Sequence, residues 1–270
     1  MEIGWERSNR KHFDEIVENY DKIRWEYPDK LYKDIFDYAA ASRGKKVLEI
    51  GAGTGKSTAR FLNAGFDVTA VEIGANMTEF LRDKFEGHRD FRVINEAFED
   101  VSLTDGSFDL IYAASAFHWV DAEIGCPKVF RLLSKTGVFA LFRNNLIVPA
   151  SGDAFYDEIQ EVYKKYYHQP YQRPLRKTKE DFEKPSEISK AYGFEDLKQY
   201  GFSDTLIKQY DAPQAYSADD YMLLLDTFAD HRSLPEDKRT ALYAGIKKVI
   251  EKHGGYYNMA YVSHLYMGRK

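Results

Sequence analysis

The sequence predicts an α/β fold with a doubly wound, mostly parallel sheet of about seven strands. Short apolar runs recur between residues 45 and 144, and they show little of the alternation typical of a half-exposed strand. Helical stretches separate these runs, as the crossover connections of a parallel sheet require. The 270 residues, of which 44% are hydrophobic, suffice to bury one large core.

The first part of the chain supplies most of the predicted sheet. Each strand is a short run rich in Val, Ile, Leu or Phe, and helical stretches alternate with these runs. The predicted strands are Lys45–Ile50, Asp67–Glu72, Phe91–Asn95, Phe108–Ala113 and Gly137–Phe142. The predicted helices between them are Lys56–Asn63, Ala75–Phe85 and Ala122–Leu133.

The flanking segments are predicted to complete the sheet and to cover its open edge. Residues 1–40 have an amphipathic helical pattern that breaks near Pro28. Further helices are expected at Asp153–Tyr167, Asp219–Phe228 and Glu236–Lys252, and further strands at Thr205–Tyr210 and Tyr256–Tyr266, the final strand being antiparallel.

These elements lead us to predict one domain over residues 1–270. Its core spans about residues 36–150 and is completed by strands near 202–210 and 256–267. Helical lid elements are expected at about 1–35, 151–193 and 213–253.

The composition excludes several classes of protein. The formal net charge is −5, whereas a dedicated nucleic-acid binder usually carries a basic excess, so no nucleic-acid partner is expected. The single cysteine, Cys126, can form neither an internal disulfide nor a cysteine-rich zinc site, and the histidines lack metal-ligand spacing. No metal is expected. Because no apolar run approaches about 18 residues, we expect a cytoplasmic protein with no membrane partner. The protein is expected to be a monomer or a homodimer.

The most informative motif runs from Glu49 to Thr58, directly after the first strand and at the start of a helix. A phosphate-binding P-loop would need a glycine where the chain has Ile50, and Glu49 would bring negative charge to the phosphates. A dinucleotide fingerprint starting at Gly51 would need its last glycine at Lys56. What remains is an acid followed by three alternate glycines, which let a ligand approach the backbone and the helix N-terminus.

A second acid, Glu72, ends the second strand. In a doubly wound sheet this strand end lies beside the first loop, where a carboxylate can accept hydrogen bonds from both hydroxyls of a ribose. The alternative is an acid that is simply solvated at a strand end. The three glycines of the preceding loop favour the ligand-binding interpretation.

Taken in order, these motifs resemble those of class I S-adenosylmethionine-dependent methyltransferases, which share a Rossmann-like fold. Glu49–Gly55 resembles their first motif, and Glu72 resembles their ribose-binding acid. Ala97–Asp100 is similar to the segment that edges the adenine, and Asp105–Leu110 resembles the run that leads into the fourth strand.

Two further segments resemble a small-molecule subgroup that includes trans-aconitate methyltransferase-like proteins. Ala113–Trp119 resembles the loop that follows the fourth strand in that subgroup. Tyr20–Pro28 resembles its lid motif, Y-D-x-x-R-P-x-Y-P, with Trp25 in place of the proline and Glu26 in place of the usual glycine.

The resemblance implies that the cofactor is S-adenosylmethionine. It also implies methyl transfer to an oxygen, nitrogen or carbon atom of a small-molecule acceptor, carboxylates included. The cofactor-binding residues that it implies are Tyr20, Arg24, Glu49, Gly51, Ala52, Gly53, Thr54, Gly55, Glu72, Ile73, Met77, Ala97, Phe98, Glu99, Ser115 and Phe117.

The segment after the fourth strand indicates the acceptor side. It lacks the Asn/Asp-Pro-Pro-Tyr motif of amino-methylating branches, so DNA-adenine and protein-glutamine methylation are not expected. His118 falls where the transferred methyl should lie, and an imidazole with a typical pKa near 6.5 suits a general base, although it can equally shape the pocket. Trp119 and Arg143 are the other predicted substrate contacts, Arg143 because a guanidinium matches a carboxylate bidentately.

Two other functions stay open from the sequence. A nicotinamide-dependent oxidoreductase would bind NAD(P)H, and a non-catalytic binding protein would bind S-adenosylmethionine without turning it over. The basic and aromatic stretch Tyr163–Lys179 could bind single-stranded nucleic acid or an acidic small substrate. Acids at residues 180–183 follow at once, and they favour a solvated lid.

Overall fold

The computed structural model describes residues 14, 16–40, 43–149, 153–167 and 177–270, and the chain forms two compact units. The sheet unit comprises Glu26–Asn145, Asp181–Ala212 and Val262–Lys270. The helical unit comprises Met1–Trp25, Leu146–Glu180 and Pro213–Tyr261. The predicted lid elements at 1–35 and 151–193 and the basic stretch at 163–179 lie partly outside the described residues.

The described strands are numbered in chain order. They are β1 (Lys46–Ile50), β2 (Asp67–Glu72), β3 (Phe91–Asn95), β4 (Phe108–Ala114), β5 (Leu133–Leu146), β6 (Ser203–Asp211), β7 (Gln214–Ser217), β8 (Tyr256–Met259) and β9 (Tyr261–Arg269). Seven of them form one sheet in the order β3-β2-β1-β4-β5-β9-β6. From β3 to β5 the neighbours run parallel, and β9 runs antiparallel to β6. The predicted fold class is confirmed.

The order in which strands are added to the sheet reverses at β1, which has β2 on one side and β4 on the other. Val47 of β1 is the register partner of Val68 on β2 and of Leu110 on β4. Because the connections leave these two sides in opposite directions, a crevice opens beyond the carboxyl ends of β1 and β4. The glycine loop follows β1 at this edge, and Ser115–Trp119 follows β4 at the same edge.

The described helices are also numbered in chain order. Those of the sheet unit are α2 (Asp29–Tyr38), α3 (Lys56–Asn63), α4 (Ala75–Lys84), α5 (Ala122–Leu132) and α7 (Pro185–Ser189). Those of the helical unit are α1 (Val17–Ile23), α6 (Ala154–Tyr166), α8 (Ala218–Leu225), α9 (Ala229–Arg232) and α10 (Glu236–Lys252). Within this unit α10 packs against α6 and α8. No helix within the described ranges combines the length and apolar character needed to cross a bilayer.

Both faces of the central strands are covered, which explains their unbroken apolar runs. Successive residues of β4 belong to different hydrophobic clusters. Ile111 packs in a cluster with Phe139, whereas Tyr112 packs in another with Phe142 and with Phe61 of α3. A strand buried on both faces loses the polar alternation that a half-exposed strand shows.

The predicted final strand, Tyr256–Tyr266, is wrong as a single element. The structure divides it at Ala260 into β8, which pairs with β7, and β9, which enters the main sheet. Side chains of β8 alternate between exposed and buried, whereas β9 is buried from Tyr261 to Gly268. The two halves therefore have the patterns of one-face and two-face burial, and an apolar run alone does not separate them.

Parts of the predicted lid elements pack in the core of the sheet unit instead. The N-terminal helix is interrupted between Ile23 and Asp29, as expected from the extended backbone that Pro28 favours in the residue before it. After this break, Leu31 of α2 is buried against the sheet. Residues Ile188 and Tyr192 of the 151–193 segment are likewise buried in the core.

Candidate active site

The three glycines of the loop after β1 all adopt positive φ, but their surroundings differ. A Cβ at Gly51 would lie 2.6 Å from the Cβ of Ala116, and a Cβ at Gly55 would lie 2.6 Å from the ring of Phe85. A Cβ at Gly53 would meet nothing within 4 Å. Gly51 and Gly55 therefore allow close protein packing, whereas Gly53 leaves the backbone open to a ligand.

Glu72, at the end of β2, joins the glycine loop to the start of α4. Its Oε2 accepts a hydrogen bond from the Gly53 N–H at 2.8 Å, and its Oε1 accepts one from the Gly74 N–H at 2.9 Å. The side chain is buried, so the interpretation of Glu72 as a solvated acid is wrong. A carboxylate offers about four lone-pair sites, and these two hydrogen bonds use two of them.

Glu49, at the end of β1, connects that strand to the helix that follows the glycine loop. Its side chain is 1% exposed, and its carboxylate accepts a hydrogen bond from the Thr58 hydroxyl in the first turn of α3. Burial raises the pKa of Glu49 to about 7, the charge of Glu72 acts in the same direction, and the Thr58 hydroxyl opposes both. The structure therefore directs this carboxylate into the protein, not toward an exposed surface.

This buried carboxyl group should make stability depend on pH. The pKa rises from 4.5 to about 7 on folding, so the folded state binds the proton more tightly and stability falls as pH rises through that window. The loss should reach about 3 kcal/mol above pH 7. In urea unfolding, Glu49→Gln should gain that amount relative to the native protein between pH 5 and pH 8, whereas the exposed control Glu79→Gln should show a constant difference. A constant difference for Glu49→Gln would contradict the assignment.

Lys128 of α5 holds the segment that resembles the adenine edge. Its Nζ donates hydrogen bonds to the carbonyl oxygens of Glu99 at 3.1 Å and Val101 at 2.5 Å, and it lies 5.2 Å from the ring centroid of Phe98. Phe98 is buried, while Ala97 and Glu99 are half-buried. Burial lowers the pKa of Lys128. Sequence analysis did not identify this lysine, although a lysine within the apolar face of a helix was a usable signal.

The end of β4 is held by Tyr27. Ser115 follows the strand with φ of +52°, which is uncommon outside glycine, and its N–H donates to the carbonyl oxygen of Phe142 at 2.8 Å. The hydroxyls of Ser115 and Tyr27 are 2.6 Å apart. Residues held in sparsely populated conformations occur at sites where the surrounding structure fixes them. Tyr27 therefore fixes the first residue of the loop that carries His118.

The next residues of this loop form a single 3-10 turn, Phe117–Trp119. His118 and Trp119 are half-buried, and their ring centroids are 5.0 Å apart. Phe117 is fully buried and its ring lies edge-on to Phe139 at 5.1 Å. The turn therefore directs the Phe117 side chain into the core, and the cofactor contact implied for Phe117 stays a prediction.

Other predicted cofactor residues differ in their surroundings. Ala52 and Met77 are buried, and Ile73 is half-buried next to Glu72. The carbonyl oxygen of Thr54 accepts a hydrogen bond from Lys84 at 2.9 Å. The Thr54 hydroxyl is buried and has no hydrogen-bond partner among the described residues.

Tyr20 and Arg24 belong to the helical unit. The guanidinium carbon of Arg24 lies 4.5 to 5.1 Å from the ring centroids of Tyr20, Trp25 and Phe228, and Nη2 donates to the carbonyl oxygen of Thr227 at 2.5 Å. These contacts are cation–π interactions within that unit. The cofactor contacts implied for Tyr20 and Arg24 stay predictions.

The donors and acceptors at this sheet edge fit S-adenosylmethionine better than a metal ion or a phosphate. Gly53 provides open backbone, Glu72 a buried carboxylate beside it, and Thr54 a buried hydroxyl that has no hydrogen-bond partner among the described residues. Within the described ranges, no three or more His, Cys, Asp or Glu side chains come together as metal ligands would.

Comparison with known proteins identifies the class of enzyme. Residues 48–141 match the methyltransferase domain family. An uncharacterized methyltransferase of Schizosaccharomyces pombe is 25% identical over 87% of this chain and 85% of its own length. One of Mycobacterium tuberculosis is 33% identical, but over only 49% of this chain and about half, 51%, of its own length. The protein is a methyltransferase.

Solved structures with the same fold include the YcgJ protein of Bacillus subtilis, with a TM-score of 0.54 and 16% identity over 90% of this chain and 99% of that one. Another is phosphoethanolamine N-methyltransferase 2 of Haemonchus contortus in complex with S-adenosylhomocysteine. Its TM-score is 0.54 and its identity 13%, over 97% of this chain and 60% of that one. S-adenosylmethionine is the cofactor of the methyltransferase, and the nicotinamide-dependent alternative is wrong.

The different surroundings of the loop glycines provide a matched pair of variants. Gly53→Ala should cost the methyltransferase about 1–2 kcal/mol of stability through its positive φ and weaken S-adenosylhomocysteine binding at least about tenfold, the equivalent of one hydrogen bond. Gly55→Ala adds an overlap with Phe85, so it should lose a further 1–3 kcal/mol or so. Urea unfolding and calorimetry separate the two effects. Unchanged affinity in a folded Gly53→Ala protein would show that no ligand approaches there.

Proposed function

We propose that the methyltransferase acts on a small-molecule acceptor. The observation that supports this most directly is the loop after β4, where His118 and Trp119 occupy a half-buried turn at the strand end. The loop contains no Asn/Asp-Pro-Pro-Tyr motif of the kind found in amino-methylating branches. The resemblance of Tyr20–Pro28 to the lid motif of a small-molecule subgroup supports the same acceptor class. The proposed lid elements are those parts of 1–35, 151–193 and 213–253 that do not pack in the core of the sheet unit.

When bound, S-adenosylmethionine supplies a methyl group on a sulfonium, whose carbon–sulfur bond breaks with its electron pair left on sulfur. The protein then has to align the acceptor and exclude water. In the proposed arrangement Glu72 holds the ribose hydroxyls, and Lys128 fixes the segment that edges the adenine. His118 takes the proton of a hydroxyl or acidic C–H acceptor, so that the acceptor's electron pair forms the new bond to the methyl carbon.

An acceptor screen tests this proposal. The full chain is incubated with S-adenosylmethionine and a metabolite library, and release of S-adenosylhomocysteine is measured. Parallel reactions contain unmodified protein extract, RNA or DNA with labelled methyl donor. The proposal expects turnover with a small molecule and none above background with the macromolecules. Methylation of a macromolecule alone would contradict it, and so would the absence of turnover in every arm, as expected of a non-catalytic binding protein.

A further inference from the structure

Glu49 is a buried acid that has no basic partner among the described residues. Its side chain is 1% exposed, and the groups that act on its carboxyl are the hydroxyls of Thr58 and Tyr112 and the carboxylate of Glu72. Thr58 donates a hydrogen bond to it from the first turn of α3, and Tyr112 is its register partner on β4. An ionised acid in a protein interior is costly unless a positive charge pairs with it, so these surroundings favour the neutral acid.

The other groups around Glu49 do not supply a positive charge. Burial raises the pKa of Glu49 to about 7, and the negative charge of Glu72 on β2 acts in the same direction. From α2, the Tyr32 hydroxyl lies 3.0 Å from that of Ser57, and burial raises the pKa of the Tyr32 and Tyr112 phenols, so both phenols stay neutral. A positive charge that entered these surroundings would therefore shift Glu49 toward its ionised form.

The position of Glu49 couples it to the crevice. It precedes the last residue of β1, the strand at which the order of the sheet reverses, and Gly51 follows two residues later. Helix α3, whose first turn contacts Glu49 through Thr58, starts from the same glycine loop. Buried charges are screened by water and salt much less than exposed ones. A positive charge bound in the crevice should therefore act on Glu49 without touching it.

The cofactor and the product of this reaction differ in one positive charge. The sulfur of S-adenosylmethionine is a sulfonium, whereas the sulfur of S-adenosylhomocysteine is a neutral thioether. A ligand that favours the ionised form of an acid releases a proton when it binds, and its affinity must rise with pH. The neutral thioether gives no such coupling.

We propose that Glu49 distinguishes the cofactor from the product by charge, as a proton-linked group beneath the glycine loop. Glu49 releases its proton to solvent when the sulfonium binds, and it takes up a proton from solvent once the methyl group and the positive charge have left the sulfur. S-adenosylmethionine therefore gains affinity relative to S-adenosylhomocysteine as pH rises. This goes beyond the proposed function, because it holds for any methyl acceptor.

Calorimetry of the full chain with each ligand between pH 5.5 and pH 8.5 tests the proposal. We expect the affinity for S-adenosylmethionine to rise about tenfold relative to that for S-adenosylhomocysteine over this range, as a shift of about one pKa unit in Glu49 gives. In Glu49→Gln, whose amide has the same size and no charge, this rise should be lost. The ligands' own groups titrate alike in both proteins, so the difference between the proteins isolates Glu49.

The same calorimetry counts protons when it is repeated in buffers of different ionisation enthalpy. Near pH 7 the native protein should release about half a proton more with S-adenosylmethionine than with S-adenosylhomocysteine. Glu49→Gln should show no such excess. A merely structural role of Glu49 would change both affinities together and would leave the proton count of the two ligands equal.

Two further variants separate Glu49 from its neighbours. Thr58→Val removes a hydrogen-bond donor to the ionised form, so the rise in relative affinity should persist but move to higher pH. Glu96→Gln removes an exposed acid that follows β3 at the same edge of the sheet. It should change neither the pH dependence nor the proton count, because an exposed charge is largely screened.

Two results would overturn the proposal: the same pH dependence of relative affinity in the native protein and in Glu49→Gln, or equal proton release with both ligands in the native protein. The second measurement needs no variant, so it stands even if Glu49→Gln does not fold. Neither result bears on the acceptor screen. A protein that shows the proton release and methylates only macromolecules would contradict the proposed function and leave the role of Glu49 intact.

Discussion

Glu72→Ala should weaken binding of S-adenosylmethionine and S-adenosylhomocysteine about 10- to 150-fold, the equivalent of one charge-assisted hydrogen bond of roughly 1.5–3 kcal/mol. The structure adds a reason for an effect at the upper end of this range. The same carboxylate accepts the N–H of Gly53 and the N–H of Gly74, so its removal also releases the loop that the cofactor approaches. Calorimetry with each ligand measures the change.

Two further variants make this experiment specific. Glu79→Ala removes an exposed acid from the neighbouring helix α4. It should leave the affinity for both ligands unchanged, because the charge of a solvent-exposed side chain is largely screened by water and salt. Glu72→Gln should not restore affinity, since its amide N–H₂ opposes one of the two backbone donors. If Glu72→Ala kept both its circular dichroism spectrum and its native affinity, the ribose assignment would be wrong.

His118→Ala should lower turnover by about 10²–10⁴ when the acceptor is a hydroxyl or an acidic C–H, because a positioned general base contributes that much. The position of the side chain supports this role. It is half-buried in the turn after β4, which Tyr27 fixes through Ser115. A carboxylate acceptor has no proton to lose, so the variant should then raise KM and change kcat little.

The pH profile and chemical rescue distinguish a base from a packing residue. Loss of a base should remove the acidic limb of kcat/KM, and added imidazole should restore part of the turnover. His88→Ala removes an exposed histidine that packs on Phe85 and should change neither quantity. Native turnover and native acceptor affinity in His118→Ala would leave the residue with a packing role only.

The central strands could be predicted from sequence because their burial is decided by local composition. β1, β2, β3 and β4 begin and end within one residue of the predicted bounds. β5 extends beyond its predicted end at Phe142. The prediction stopped there because the residues that follow, Arg143 to Asn145, are polar. Asn144 and Asn145 are satisfied by Ser263 and His264, 119 residues away in the chain, and no local pattern shows such partners.

The glycine loop and Glu72 were identified because their chemistry depends on spacing along the chain. Lys128 was not assigned a role, and Tyr27 was identified only as part of the lid motif, because each acts on a segment far from it in sequence. Tyr27 is 88 residues from Ser115, and Lys128 is 29 residues from Glu99. Side chains that hold a site by reaching across the fold become visible only in three dimensions.

The antiparallel pairing of β6 with β9 has a consequence for how this protein can vary. Asp211 pairs with Val262, so everything between them is formally the loop of one long hairpin. Extending a two-residue turn to some fifty residues costs only about 3 kcal/mol of closure entropy, and the inserted chain offsets this by folding on itself through β7, α8, α10 and β8. The segment is not independent of the rest of the chain, because α10 also packs against α6, which lies outside it. A variant in which residues 213–260 are replaced by a short turn should keep its seven-stranded sheet but leave α6 without its contact to α10.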